Sequence, residues 1–203
     1  MSINTAPHLV WFDTEYSTLE LEQAHLLQVA MVITDMQGQR IATPEQDLVT
    51  AVRLPPATPV SAFVAKECPA IVTQARSEKA PTVSEVDHLL ATTIDTLIGP
   101  LAAKIKDRPI LAGNTIHADW WFAQRFLPQF LGRLHYRMLD VSSLKILWLE
   151  AKLGPEFDKT NITLMQDYLP GWTLPKQTQQ HDALYDVMGS IAELNFYRHH
   201  FLK

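Results

Sequence analysis

Residues His8–Thr14 read HLVWFDT, and the acid at Asp13 is followed two positions later by a second, Glu15. A run so rich in branched and aromatic side chains reads as a buried strand. Successive side chains on a strand point to opposite faces. Asp13 and Glu15 therefore share one face, while Val10 and Phe12 turn to the other, into core. Ionised groups beside so apolar a strand are costly unless they are paired or hold a cation. Working outward, Leu26–Thr34 (LLQVAMVIT) reads as a second strand and Asp35-Met36-Gln37-Gly38 as the turn after it. Asp47–Arg53 (DLVTAVR) completes a three-stranded meander.

Pro55, Pro56 and Pro59 then break the pattern, and the stretch to Pro81 shows no clear period. From Thr82 onward Val83, Val86, Leu89, Leu90, Ile94, Leu97 and Ile98 recur at helical spacing, with Pro100 near the end of the run. Pro109–Ala112 reads as a short strand that leads through Gly113-Asn114 into a helix beginning near Asp119. Met138–Leu144 is another strand-to-helix junction, with Asp140 placed to cap the helix. Asn161–Gly171 fits more than one reading. The last helix runs from about His181 to Phe201, with Leu184, Val187, Met188, Ile191 and Leu194 as its core stripe. Antiparallel strands followed by strand–helix alternation predict a mixed α/β fold. No repeat, low-complexity tract or linker divides the chain, so a single domain over residues 1–203 is expected.

Hydrophobic residues make up 47% of the 203 and charged residues 19%, which is enough apolar material for a core of useful size. The net charge is -5. No basic stripe of the kind that grips long nucleic acid is present, although a nuclease working on very short pieces does not need one. Cys68 is the only cysteine. An intrachain disulfide and a cysteine-rich zinc site are thus excluded, and a reducing compartment suits the single thiol. Met1–His8 is too short for a signal or transit peptide, and no apolar run approaches the roughly 20 residues of a membrane helix. The expectation is a soluble, cytoplasmic protein without a membrane partner.

The chemistry rests on carboxylates. Two acids at the spacing of Asp13 and Glu15 can hold one hard divalent cation and reach a second. Read singly, each acid has a plain structural explanation. A strand end meets water, and Asp119 at a helix start serves as a cap or a favourable first-turn charge. Asp186 lies beside the core stripe of the last helix and not opposite it, where a solvated acid would stand. His181 and Asp186 are five residues apart, about 140° around a helix, so they cannot share a helical face. For both to reach one substrate, His181 must precede the helix, and the polar run Pro175–Gln180 (PKQTQQ) supplies such a loop. A histidine there can take a proton from an attacking water near neutral pH. With eight histidines in the chain, an exposed loop histidine is the bland alternative. Together, four acids from three separated elements plus one base are the inventory for two-metal phosphodiester hydrolysis.

At this point the sequence resembles the oligoribonuclease family, within the exonuclease superfamily named for its Asp-Glu-Asp-Asp-His site. The first motif stands as Val10-Trp11-Phe12-Asp13-Thr14-Glu15 and the second as Gly113-Asn114-Thr115-Ile116-His117-Ala118-Asp119. The third is His181-Asp182-Ala183-Leu184-Tyr185-Asp186, followed by Ser190-Ile191-Ala192-Glu193-Leu194. His135-Tyr136-Arg137-Met138-Leu139-Asp140-Val141-Ser142-Ser143-Leu144-Lys145 looks like the signature of the family itself. The likeness covers nearly the whole chain and is weakest over Pro55–Pro81 and Gly154–Lys176.

The resemblance implies a ribonuclease H-like fold, a mixed five-stranded sheet flanked by helices. It also implies a homodimer, two magnesium or manganese ions, and hydrolysis of very short RNA from its 3′ end to nucleoside 5′-monophosphates. Asp13, Glu15, Asp119 and Asp186 would hold the metals and His181 would act as the base. Leu19 would wedge between bases and Phe63, where the family usually has tryptophan, would stack on one. Thr115, Arg137 and Ser142 would cap the substrate's 5′ phosphate, with Tyr136 arriving from the second subunit. A closed charged pocket of that kind rewards a terminal phosphate and blocks a longer chain.

The chain departs from the family in two places near the first motif. Ser17-Thr18-Leu19 stands where Thr-Gly-Leu is usual, and Gln28 where the second strand usually has glutamate. The segment around Asn161–Trp172 is also longer than usual. Two other readings compete: a related exonuclease trimming longer RNA or single-stranded DNA, and a catalytically silent nucleotide-binding module. The intact set of five polar residues weighs against the second.

Overall fold

The computed structural model describes residues 7–174 and 181–201. Its sheet is built from β1 (His8–Tyr16), β2 (Leu26–Asp35), β3 (Leu48–Ala51), β4 (Ile110–Gly113) and β5 (Met138–Asp140). They lie in the order β3-β2-β1-β4-β5. β1, β2 and β3 pair antiparallel, whereas β4 runs parallel to β1 and β5 parallel to β4. The expected meander forms, with its third strand trimmed at both ends. The turn joining β2 to β3 closes at Gly38, whose φ of 83° is open to glycine at no steric cost. Asp35 Oδ1 secures it by accepting the amides of Gln37 and Gln39 at 2.9 and 2.8 Å.

The segment without a sequence period contains two short helices, α1 (Ala62–Glu67) and α2 (Pro69–Ala75). Ser61 caps the first, and Pro69 opens the second at a position where its missing N–H costs nothing. α3 (Val83–Leu97) starts at a reciprocal capping box between Thr82 and Glu85. α4 (His117–Phe126) and α5 (Pro128–Leu131) follow β4, and α6 (Val141–Glu150) follows β5 with Asp140 as its cap, as expected. The ambiguous stretch folds as α7 (Ile162–Tyr168), capped by Asn161, and α8 (Ala183–His200) is the last element.

The centre of the sheet is covered on both faces. Leu9 and Trp11 of β1 pack with Val141, Trp148, Met165, Ile191 and Tyr197 from α6, α7 and α8. Val10 and Phe12 pack on the other side with Val86, Leu90, Phe122 and Phe130 from α3, α4 and α5. A smaller cluster of Leu27, Leu54, Val64 and Ile71 sits under α1 and α2. Burial on both faces explains why β1 reads as a nearly continuous apolar run. The segment Asn161–Trp172 is part of this core: Met165, Leu169 and Trp172 are buried, and the Arg40 guanidinium lies 3.6 Å from the Trp172 ring centroid.

Candidate active site

Because β1 and β4 are parallel, their carboxyl ends open at the same edge of the sheet. Trp11 is level with Ala112, so Asp13 and Glu15 project just past the end of β4. Gly113 permits this close pairing, since a Cβ there would stand 3.0 Å from the Phe12 carbonyl oxygen and 2.9 Å from Ile116 Cδ1. α8 lies on the same face of β1 as the two acids and brings Asp186 in its first turn. One carboxylate oxygen from each of Asp13, Glu15 and Asp186 falls within 4.8 Å of the others. Asp119 enters from the first turn of α4, where it is buried and accepts the Thr14 hydroxyl at 2.7 Å. It stands outside the three-acid group, but its charge acts on both Asp13 and Glu15.

His181 precedes α8, as the five-residue spacing requires, with Asp182 as the cap between them. Its φ of 63° is a left-handed conformation that costs a non-glycine residue energy, and its N–H donates to the Asp186 carboxylate. A ring nitrogen comes within 4.8 Å of a Glu15 oxygen, and the ring stands edge-on to Phe63 at 6.1 Å between centroids. The proposed loop Pro175–Gln180 lies outside the described residues.

The electrostatics show which partner this cluster would suit. Burial, reinforced by Asp119, Asp186 and Glu15, raises Asp13 well above the usual carboxylate range. Burial and then Asp186 push Glu15 up to about 8. Asp119 is pushed up to about 7 by burial, against the opposing Thr14 hydrogen bond, and burial also raises Asp186. Among the described residues one buried side-chain acceptor has no partner, Asn114 Oδ1, on the residue that follows Gly113 at this same edge. Clustered oxygens that resist ionisation are matched by a hard divalent cation, so the residues fit one.

A stability test follows. Without a cation, the folded chain keeps a proton on Glu15 that the unfolded chain loses near pH 4.5. Stability is then full below that pH and falls as pH rises toward 8. Thermal melts in chelator should show this decline. At neutral pH, magnesium or manganese at a hundredfold excess over Kd should stabilise by about 2.7 kcal/mol, raising Tm by roughly 5–10 °C. Identical melting curves with and without the cations would remove the site.

The residues expected to touch substrate fall into two groups. Leu19 is 69% exposed and Phe63 52% exposed, both large apolar side chains left in solvent, with Phe63 against His181 itself. Thr115 and Ser142 are brought together at the ends of β4 and β5. The Thr115 N–H donates to Ser142 Oγ and to Asp140 Oδ1 at 2.9 Å each, and the two hydroxyls are 3.1 Å apart. Thr115 has a left-handed φ of 52°. Arg137 lies before β5, its guanidinium 5.4 Å from the ring of Tyr136, which stacks on His135 and is 61% exposed. Among the described residues, no hydrogen bond joins Arg137 to Thr115 or Ser142.

Both sequence departures are accommodated. Thr18 needs no left-handed backbone, and its hydroxyl accepts the Glu20 amide at 3.3 Å. Gln28 sits opposite Glu15 on β2, and its Oε1 accepts the Ala183 amide at 3.0 Å, tying the sheet to the start of α8.

Sequence reasoning assigned no role to several residues that support the site. Glu193 is fully buried and receives Asn114 Nδ2 at 2.7 Å and the Tyr197 hydroxyl at 3.0 Å. Lys145 and Lys159 stand 3.6 and 3.5 Å from it. Lys159 crosses α8 at Gly189, where an added Cβ would lie 3.0 Å from its Cδ, and its charge opposes the rise in Asp13 and Asp186. The i, i+3, i+7 spacing of Asp186, Gly189 and Glu193 could have signalled one shared helix face.

Comparisons with known proteins give the family and the fold. The RNase T exonuclease family model matches residues 10–194. The oligoribonuclease of Tropheryma whipplei (strain Twist) is 32% identical over 201 residues, spanning 98% of this chain and 95% of that protein. That of Klebsiella pneumoniae is 33% identical, spanning 97% and 96%. In fold, the chain is similar to the nuclease domain of 3′hExo, a DEDDh family member solved bound to rAMP. The TM-score is 0.57 at 16% identity, with 98% of this chain and 94% of that one covered.

Proposed function

The chain belongs to the RNase T exonuclease family and, within it, to the oligoribonucleases, and from that premise we propose that it hydrolyses very short RNA from the 3′ end. The observation that carries this reading is the convergence of Asp13, Glu15 and Asp186 within 4.8 Å, beside His181 and Asp119. Asp13, Glu15, Asp119 and Asp186 would hold two divalent cations, magnesium or manganese. When bound, these supply Lewis acidity toward the attacking water, the phosphate and the leaving oxygen. His181, on the rim of the cluster, takes the proton of the attacking water. Water oxygen bonds to phosphorus, the P–O3′ bond breaks, and the penultimate 3′ oxygen leaves with a proton from solvent. A nucleoside 5′-monophosphate is released.

Leu19 and Phe63 offer apolar surfaces to bases, and Thr115, Ser142 and Arg137 offer donors to a 5′ phosphate. Tyr136 would come from a second copy. A homodimer is supported by the exposed apolar residues of α6 and of edge strand β5: Ile146, Leu147, Leu149 and Met138. No described helix is long and apolar enough to cross a membrane. A cytoplasmic location and one domain over residues 1–203 remain part of the proposal.

Timed hydrolysis of 5′-labelled RNA and DNA from two to twenty residues, with and without magnesium, tests the reading. Dinucleotides should turn over fastest, only with the cation. Arg137→Ala should lower the preference for a 5′-phosphorylated over a 5′-hydroxyl dinucleotide by about 10–100-fold, the worth of a charge-assisted hydrogen bond. Equal or better turnover of the twenty-residue strand would remove the short-substrate claim.

A further inference from the structure

The thiol of Cys68 has no part in the proposed hydrolysis, yet it lies at the edge of the site. Cys68 ends α1 and is only 7% exposed. Its Sγ, a Glu15 carboxylate oxygen and a His181 ring nitrogen all fall within 4.8 Å of one another. These are three different ligand types from three separate segments: β1, the α1–α2 junction and the turn before α8. Hard cations such as magnesium take oxygen ligands, whereas sulfur and imidazole suit zinc.

We propose that Glu15, Cys68 and His181 form a second cation site, selective for zinc or a similarly soft divalent ion, that shares Glu15 with the acidic cluster. Tetrahedral zinc with bonds of about 2.0–2.3 Å places its ligand atoms roughly 3.5 Å apart. The 4.8 Å limit leaves little over an ångström to close. His181 is the exposed member and can supply that movement by turning its side chain, while Cys68 and Glu15 stay anchored. Zinc binding exchanges the thiol proton for the metal, and the proton leaves to solvent. A fourth position remains for water.

Occupancy has a functional consequence. Zinc at this site would engage the proposed base, His181, and one of the four acids, so it would inhibit hydrolysis supported by magnesium. The inhibition rests on the exonuclease reading, whereas the zinc site itself does not.

The experiment uses the full chain, its Cys68→Ser and Cys68→Ala variants, and zinc or cobalt as the added ion in the presence of saturating magnesium. Cobalt should give a thiolate-to-metal charge-transfer band with the wild type and none with either variant. Zinc affinity, read by competition with a chromophoric chelator, should fall at least about tenfold in both variants. Loss of an outer-sphere partner already costs a site about 10–100-fold. Hydrolysis with magnesium alone should be unchanged in the variants, but their inhibition should require at least about tenfold more zinc, in line with that loss of affinity. The absence of the band in the wild type, or equal zinc affinity in wild type and variants, would overturn the site. A cobalt band in a protein that hydrolyses no RNA would support the site and reject the exonuclease reading. If Cys68→Ser unfolds, Cys68→Ala serves the same comparison, and the wild-type band decides by itself.

Discussion

Asp186→Asn is expected to lose at least about 10³-fold in kcat on a dinucleotide, because one group aimed at developing charge is worth about 10²–10³ and a cation ligand carries more. The substitution keeps the shape of the side chain and an oxygen able to accept the His181 N–H. What it removes is one negative charge beside Asp13 and Glu15. In chelator the same variant should melt at a higher temperature than the wild type. Desolvation and mutual repulsion oppose the ionised cluster, and the variant relieves both. Stability and activity thus move in opposite directions, an outcome that distinguishes a functional acid from a structural one. A fall in kcat of less than tenfold, or a lower melting temperature in chelator, would take Asp186 out of the site.

The second large effect is at His181. His181→Ala should lower kcat by about 10²–10⁴-fold, the usual worth of a positioned general base. The apparent affinity for magnesium should change only a few-fold, because none of the four acids is touched. The two variants therefore separate along different axes: Asp186→Asn loses cation binding and turnover together, whereas His181→Ala loses turnover with the cation still held. Comparing kcat with cation-induced Tm shifts makes the distinction. Unchanged kcat in His181→Ala would move the base to another group.

Much of this site could be read from local pattern. The alternation in HLVWFDT put Asp13 and Glu15 on one face, and the face they share proved to be the one under α8. The five-residue interval from His181 to Asp186 required a break before the helix, and Ala183 is where α8 begins. Asp140 was legible as a cap because capping is a contact between near neighbours. α1 and α2 were not legible. They have six and seven residues, too few for an apolar period to establish itself among prolines. The bond between Gln28 and Ala183, separated by 155 residues, and the convergence on Glu193 leave no local trace, since tertiary contact creates them. Cys68 was read as a marker of compartment because its proximity to Glu15 and His181 exists only in three dimensions.

β1 has two unlike neighbours, and this bears on the order in which the molecule assembles. β2 follows after a short loop, so that hairpin can zip early at small entropic cost. β4 comes about a hundred residues later, and parallel pairing across so long a loop is slow. Across the hairpin Asp13 and Glu15 stand opposite the uncharged Ala30 and Gln28, so the repulsion there is only their own. They meet Asp119 and Asp186 when β4, α4 and α8 dock. With the hairpin formed first, the repulsion from Asp119 and Asp186 would fall in the closing steps of folding, after the meander is in place to bear it.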